Sequence, residues 1–428
     1  MRVIVVGTGA GGSVAARELS LRGADVVVLE AGKRAQAFSR LAPSLSPLRH
    51  AGLLRPWVLS RAVPGMEVTR AGEDLLVIRG IGEGGCTQIS CGNWVRAEHG
   101  LDRIGLDLSA EFEELEALVQ PMPFPRERWR PTTERMYIAA AELGLEPHPT
   151  PKAVDARRCR ACGLCELGCA TEARWDARRF LADAARAGAE IRLGMPVRRV
   201  VSDDTHVCGV EVAGLRDTIR ADVVILAAGA IGTAAILRAS GLPVADRLWV
   251  DIVLTVGGRL PRAQQLAEPP MVWYARREGY ILSPYLDLLS HFVHRPWRGV
   301  PLRDRVGLMV KLADEPSGRV DERGRVAKEL TAAERGRLAE ASGVARDVLA
   351  RAGVEGPYEG GVLNGGHLGG TAPLRREDIA GMRPAGLPDG LWVADLSLVP
   401  ESQGLPTMET TAAIALRVAR RIFAEHVG

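Results

Sequence analysis

Apolar residues along this chain fall into two rhythms. Short unbroken runs at residues 3–6 (Val-Ile-Val-Val), 25–29 and 222–227 read as strands of a parallel sheet covered on both faces. Residues 13–19, 109–119, 132–143, 178–187, 330–351 and 408–423 carry apolar positions at helical spacing. Residues 75–78 read as a further strand, 190–193 as extended, and 197–201 with 207–212 as paired strands around a turn at 202–204. Between 248 and 354 the pattern becomes alternating, as at 249–256 and 306–312, which predicts an antiparallel sheet with helices on one side. Residues 34–68, rich in Pro, Ser and Leu without a clean period, read as a long excursion with short helices. The expected fold is α/β, a parallel sheet into which an α+β domain on an antiparallel sheet is inserted.

The first strand runs straight into Gly7-Thr8-Gly9-Ala10-Gly11-Gly12, and the second ends on Glu30-Ala31. Strand, G-x-G-x-x-G turn, helix, strand and acid in this order predict a dinucleotide site. Gly7 permits the turn, Gly9 lets a pyrophosphate approach the backbone, and Gly12 lets helix and strand pack closely. Glu30 is expected on the adenosine ribose, which disfavours the 2′-phosphate of NADP. A second glycine-dense stretch follows the strand at 75–78: Gly80-Ile81-Gly82-Glu83-Gly84-Gly85-Cys86-Thr87. Its small residues suit close approach of backbone amides to a flat or anionic group. Residues 222–227 lead into Ala228-Gly229-Ala230-Ile231-Gly232-Thr233, another strand, glycine turn and helix.

At 428 residues and 46% hydrophobic, the chain is long enough for two joined domains. The formal net charge of +3 implies no nucleic acid or other polyanion partner. Lysine occurs only at positions 33, 152, 311 and 328, and arginine supplies the remaining positive charge. The longest apolar run, 223–237, contains Gly229, Gly232 and Thr233 and is too short for a transmembrane segment. A strand beginning directly after Met1-Arg2 leaves no room for a signal peptide, so a cytoplasmic location is expected, with a companion subunit left open. Aromatic residues between 273 and 297 read as core, and His291 and His294 as surface or sheet positions.

Four of the seven cysteines, Cys159, Cys162, Cys165 and Cys169, follow C-x2-C-x2-C-x3-C. In a chain without an export signal this spacing favours metal over disulfides. It matches the loop that holds an iron–sulfur cube in bacterial ferredoxins, although Ala170 stands where such loops carry proline. A [4Fe-4S] cluster on all four, or on three with Cys86, Cys91 or Cys208, is the expectation. Structural zinc and metal-free thiols or disulfides are the alternatives.

The segment Gly82 to Thr87 resembles the flavin loop Gly-x-Gly-Gly-Ser/Cys-Ser of the glucose–methanol–choline (GMC) oxidoreductases. Gly229, Ala230, Thr233, Ile236, Leu237, Ser240 and Gly241 resemble that family's second signature, and His367-Leu-Gly-Gly-Thr371 its His-x-x-Gly-Thr. The resemblance implies FAD, held without a covalent bond because Ile89 stands where some members tether it through His. It implies adenine contacts from the backbone at Val197, a flavin contact from Asp395, and a helix after Thr407 aimed at the ring. Ser90 replaces the family's Asn, leaving Asn93 as a substitute. Residues 1–100, 151–245 and 357–428 then form a Rossmann-like FAD-binding domain, and 101–150 with 246–356 a substrate domain or cap.

In such proteins the histidine faces the flavin as a base, the part assigned to His367. An imidazole with near-neutral pKa accepts a hydroxyl proton at physiological pH. The family's second catalytic His or Asn aligns with Pro406, which transfers no proton. Asn364, Gln403 and Glu409 are the candidates for its part. The resemblance implies a dehydrogenase oxidising a CH–OH group of an alcohol, polyol or sugar. Its electrons would leave through the cluster to a one-electron acceptor protein, quinone or dye. A cluster-fed C=C reductase and a non-catalytic electron-transfer subunit are the alternatives.

Overall fold

The structure, a computed structural model, describes residues 1–41, 45–63, 65–203 and 205–427. The last residue of the expected turn at 202–204 and part of the excursion at 34–68 therefore lie outside the described residues.

The apolar runs build a five-stranded parallel sheet with the order Leu391–Val393, Val223–Leu226, Arg2–Val6 (β1), Asp25–Glu30 (β2), Glu190–Leu193. Val3, Ile4, Val5, Val223, Val224, Ile225 and Leu226 have no exposed surface, as unbroken runs in a doubly covered sheet require. Helix α1, Ala10–Leu21, packs against Arg178–Arg186 and the C-terminal helix Met408–Val427. Beside this sheet, Val197–Ser202, Val207–Val212 and Ile219–Arg220 form a three-stranded antiparallel meander.

The second sheet has nine strands. Val253–Arg259 and Arg305–Leu312 are antiparallel at its centre, and Met66–Arg70, Leu76–Gly80 and Asn364–Gly365 extend one side. Helix Ala332–Arg351 packs on it. That helix starts in a capping box, with Thr331 accepting from the Glu334 N–H and Glu334 accepting from the Thr331 N–H, which satisfies two end donors. Arg305–Leu312 alternates as expected, but both of its faces are buried. Val306, Leu308, Val310 and Leu312 join the core under the helix. Met309 packs instead with Met271, Tyr285 and Leu405, and Lys311 reaches the loop before the C-terminal helix.

Three expectations need correction. The strand at 249–256 begins only at Val253, because Asp251 adopts φ 51° in the left-handed region and cannot continue a pleat. Residues 101–150 divide between the two cores. Helix Ser109–Val119 packs on the C-terminal helix and helix Pro131–Glu142 on Ala332–Arg351, since Phe112 and Leu115 complete the first core and Met136, Ala139 and Ala140 the second. His291 is neither a surface nor a sheet residue: it sits buried in the short helix Leu288–Val293. Burial, then Arg49 and Arg305, push its pKa down to about 3.

Candidate active site

The first glycine turn behaves as its spacing predicts. Gly7 has φ 103°, and a Cβ there would stand 2.3 Å from the Ala227 carbonyl oxygen. A Cβ on Gly12 would stand 2.0 Å from the Gly7 oxygen, so helix and strand pack with no room for a methyl. A Cβ on Gly9 would meet nothing within 4 Å, which leaves space over that amide. A Cβ on Gly11, which the sequence reading passed over, would stand 1.9 Å from the Ala394 oxygen.

The second glycine segment folds onto the first. A Cβ on Gly85 would come within 2.9 Å of the Gly9 Cα. The Glu30 carboxylate fastens the two segments. One oxygen accepts from the Thr8 N–H at 3.1 Å and the Thr8 hydroxyl at 2.6 Å, the other from the Gly32 N–H at 2.9 Å and the Gly82 N–H at 3.1 Å. Two carboxylate oxygens offer about four acceptor positions, so the expected ribose partner is a strut between loops in this structure. Ala31 is exposed beside it. Thr8 also joins Gly82 and Gly84. The third turn meets the same place: Gly229 has φ 70° with nothing within 4 Å of a Cβ. Asp395, buried, accepts from the Gly229 and Ser397 N–H groups and from the Thr233 hydroxyl at 2.6 Å. Ala228 precedes that helix as its N-cap, and Val197 opens the meander. Gly7, Gly9, Gly12, Gly82, Gly84, Gly85, Gly229, Thr233 and Asp395 are thus gathered from four distant parts of the chain. The open space over Gly9 and Gly229 fits a group that approaches backbone amides, and these residues would hold FAD.

Other expected contacts are engaged elsewhere. Asn93 Oδ1 accepts from Lys152 Nζ, and its amide nitrogen donates to Met271 Sδ at 3.0 Å. Its role as a flavin contact gives way because the buried lysine requires an acceptor. Cys86 Sγ accepts from the Gly80 N–H, and the Thr87 hydroxyl spans the Gly84 oxygen and the Ala177 N–H. Both brace the loop. Pro406 and Thr407 are buried at the turn into the C-terminal helix, where the Thr407 carbonyl accepts from Thr411.

His367 is half-buried, with 37% of its side-chain surface exposed. Its Nδ1 stands 3.2 Å from Asp251 Oδ2. Asp251, with no exposed surface, also accepts from Lys311 Nζ at 2.5 Å, Ser402 Oγ at 2.5 Å and the Gly404 N–H at 2.9 Å. Lys311 Nζ donates further to the Leu405 oxygen at 2.6 Å. Burial, then Lys311, lower the His367 pKa, and Asp251 opposes them. Burial pushes the Asp251 carboxyl up, but Lys311 and His367 hold it down at about 2. The candidates for the missing partner do not reach His367. Asn364 donates to the Val362 oxygen, and Gln403 to the oxygens of His99 and Glu401. Glu409 lies beside Glu116, and burial with that neighbour pushes it up to about 8. Asp251 and Lys311 escaped the sequence reading, although the rarity of lysine was a signal.

Cys159, Cys162, Cys165 and Cys169 line one cavity together with Arg160 and Arg174. Cys159 Sγ accepts from the Ala161 N–H at 3.4 Å and Cys169 Sγ from the Arg174 N–H at 3.5 Å. Among the described residues, however, no three His, Cys, Asp or Glu side chains stand close enough to hold a metal ion. The four-sulfur shell expected from the spacing is therefore not found among the described residues. Gly168 is shared between this cavity and a cleft lined by Gly82, Gly85 and Gln88. Arg174, 1% exposed, extends from the cysteine loop to the oxygens of Thr87 and Gln88 and to Ser90 Oγ.

Among the described residues no helix is long and apolar enough to cross a membrane. Two curated relatives from Mycobacterium tuberculosis strains, both named uncharacterized GMC-type oxidoreductases, are 31% identical over 269 residues, 59% of this chain and 41% of theirs. The chain thus spans about two fifths of their length. An uncharacterized protein of Methanocaldococcus jannaschii is 26% identical over 345 residues, 80% of this chain and 86% of its own. Among solved structures, pyridoxine 4-oxidase of Mesorbium loti matches with a TM-score of 0.73 at 17% identity, covering 99% of both chains. Formate oxidase of Aspergillus oryzae RIB40 matches with a TM-score of 0.74 at 16% identity, covering 99% of this chain and 98% of its own. Both likenesses show the fold. The sequence model of the GMC oxidoreductase family matches residues 1–261, and the chain belongs to this family of FAD-binding flavoprotein oxidoreductases.

Proposed function

We propose that the protein is a dehydrogenase that oxidises a CH–OH group of an alcohol, polyol or sugar-like substrate, with His367 as the base. The observation that carries this reading is the His367 ring, partly exposed and fixed by Asp251 through Nδ1. With Nδ1 carrying the proton toward a carboxylate, Nε2 is left as the acceptor. A pKa lowered by burial keeps that nitrogen unprotonated at neutral pH. FAD, when bound, supplies the hydride acceptor. His367 Nε2 takes the hydroxyl proton.

The four cysteines would hold an iron–sulfur cluster that passes electrons singly to a protein, quinone or dye acceptor, or to a companion subunit. Support comes from the shared cavity, the two N–H···S contacts and the flanking Arg160 and Arg174, since such contacts and positive charge stabilise thiolate ligands.

The experiment is anaerobic reduction of the bound flavin by a panel of alcohols, followed by stopped-flow absorbance. His367→Ala should retain FAD and lose about 100- to 10,000-fold in the rate of flavin reduction. Flavin reduction by no alcohol, but by reduced viologen with an enone as acceptor, would instead favour a C=C reductase.

A further inference from the structure

The structure assigns to the buried pair Asp251–Lys311 a positioning function toward His367: Asp251 sets the tautomer of the base and Lys311 offsets the carboxylate charge beside it. This rests on the reading of His367 as the base.

The geometry is specific. All four acceptor positions of the Asp251 carboxylate are filled, by His367 Nδ1, Lys311 Nζ, Ser402 Oγ and the Gly404 N–H. Three of these four donors do not depend on the histidine, so the carboxylate is held in place whether or not His367 is protonated. Its backbone at φ 51° is a conformation that costs a non-glycine residue about 1 kcal/mol or more, and the surrounding bonds impose it. Lys311 joins the same carboxylate to the Leu405 oxygen, one residue before Pro406. The histidine and the proline turn are therefore fastened to one charged knot.

The charges explain why a lysine accompanies the aspartate. A carboxylate alone beside an imidazole favours the imidazolium, which accepts no proton. Lys311 neutralises Asp251, so the carboxylate orients the ring without protonating it. Behind this pair lie Asp314, which accepts from the N–H groups of Val250 and Asp251, and Lys328, 3.0 Å from Asp314 and 3.1 Å from Glu334. The charged groups that act on His367 are Asp251 and Lys311; Asp314, Lys328 and Glu334 continue the chain behind them, alternating in sign. In the proton step the substrate O–H bond breaks and its proton goes to Nε2. FAD, when bound, would accept the C–H hydrogen with its electron pair, which leaves a C=O bond in the product. Asp251 and Lys311 keep their charges throughout.

The test is histidine-selective 15N and 13C labelling of the FAD-loaded enzyme, with the His367 resonance assigned by its absence in His367→Gln. Wild type should show one tautomer, Nδ1–H, and a titration midpoint below that of an exposed histidine. In Lys311→Met the midpoint should rise by about 1 to 2 pH units. In Asp251→Asn/Lys311→Met, which removes both charges and needs no buried ion, the single tautomer should give way to a mixture. An unmoved midpoint in Lys311→Met overturns the role of Lys311, and a preserved single tautomer in the double variant overturns that of Asp251. If Lys311→Met does not fold, Lys311→Gln takes its place, and an unmoved midpoint there overturns the role of Lys311. Shifts as expected, together with full substrate-driven flavin reduction in His367→Gln, would sink the base assignment and leave the electrostatic coupling standing.

Discussion

Glu30→Gln separates two meanings of the acid at the end of β2. If the residue serves as a ribose contact, the amide should weaken FAD binding and leave the apoprotein unaffected. The structure makes it a strut, with two donors on each carboxylate oxygen. Glutamine replaces one of these oxygens by an NH2 group, which in its better placement faces Thr8, where it can donate to the hydroxyl but leaves the Thr8 N–H without an acceptor. One bond to a charged group, at about 1.5–3 kcal/mol, is lost and the others lose their charge assistance, and relaxation of the loops returns part of this. A net loss of about 3 kcal/mol is a large share of the 5–15 kcal/mol that holds a typical domain together. At about 2–4 °C per kcal/mol for domains of 150–250 residues, the apparent melting temperature should fall by several degrees. The assay is thermal unfolding of apoprotein and FAD-loaded protein, followed by circular dichroism, with flavin affinity titrated in parallel. An apoprotein that melts with wild type while FAD affinity drops would refute the strut and reinstate the ribose.

Gly9→Ala should fold, because a methyl there meets only open space, and should lose FAD; retained affinity would show that the space is not the cofactor's. Gly12→Ala drives a methyl into the Gly7 carbonyl and should fail to give soluble folded protein; a normal melting curve would contradict the close helix–strand contact. Arg174→Met leaves acceptors at Thr87, Gln88 and Ser90 without their buried donor and should destabilise the protein by about 1–3 kcal/mol per uncompensated group, seen in urea unfolding. Cys162→Ser should remove iron and sulfide from anaerobically purified protein and spare the flavin band; wild-type protein without iron would end the cluster reading. Burial raises the Glu268 carboxyl to about 7, so its contribution is intact below the unfolded value near 4.5 and is lost as pH climbs toward 7 and beyond. Glu268→Gln, which can mimic the protonated acid toward Thr133 and the Arg130 N–H, should therefore match wild type at pH 4.5 and exceed it by about 3 kcal/mol at pH 8; equal denaturant midpoints at pH 8 would refute the shift.

The parallel sheet and its glycine turns were legible because the information is local. A run such as Val3 to Val6 followed by Gly7 reports burial, turn and helix entry within ten residues. The pairing of Gly85 with Gly9 and of Asp395 with Gly229 could be named only as convergence on a common ligand, since no period links positions so far apart. The doubly buried strand Arg305–Leu312 was read as alternating, and its second covered face was invisible until Leu405 and Met271 were brought against it. Glu30 shows a different limit. Its position was right, but its partners depend on a loop more than fifty residues away.

The same reasoning explains where the lysines are. Arginine carries nearly all of the positive charge, yet three of the four lysines, Lys152, Lys311 and Lys328, are at most 2% exposed. Each places a single ammonium among converging acceptors: Asn93 and the Cys91 carbonyl for Lys152, Asp251 and Leu405 for Lys311, Asp314, Glu334 and Ser317 for Lys328. A compact three-donor group fills such a pocket, whereas the planar fork of arginine needs a wide, flat one. Composition that replaces lysine by arginine wherever shape is indifferent thus marks the sites where shape decides. Two of those three sites form the charged chain that ends on His367, and the third fastens Cys91 and Asn93. In this chain a rare residue is a better guide to the working parts than a charged patch.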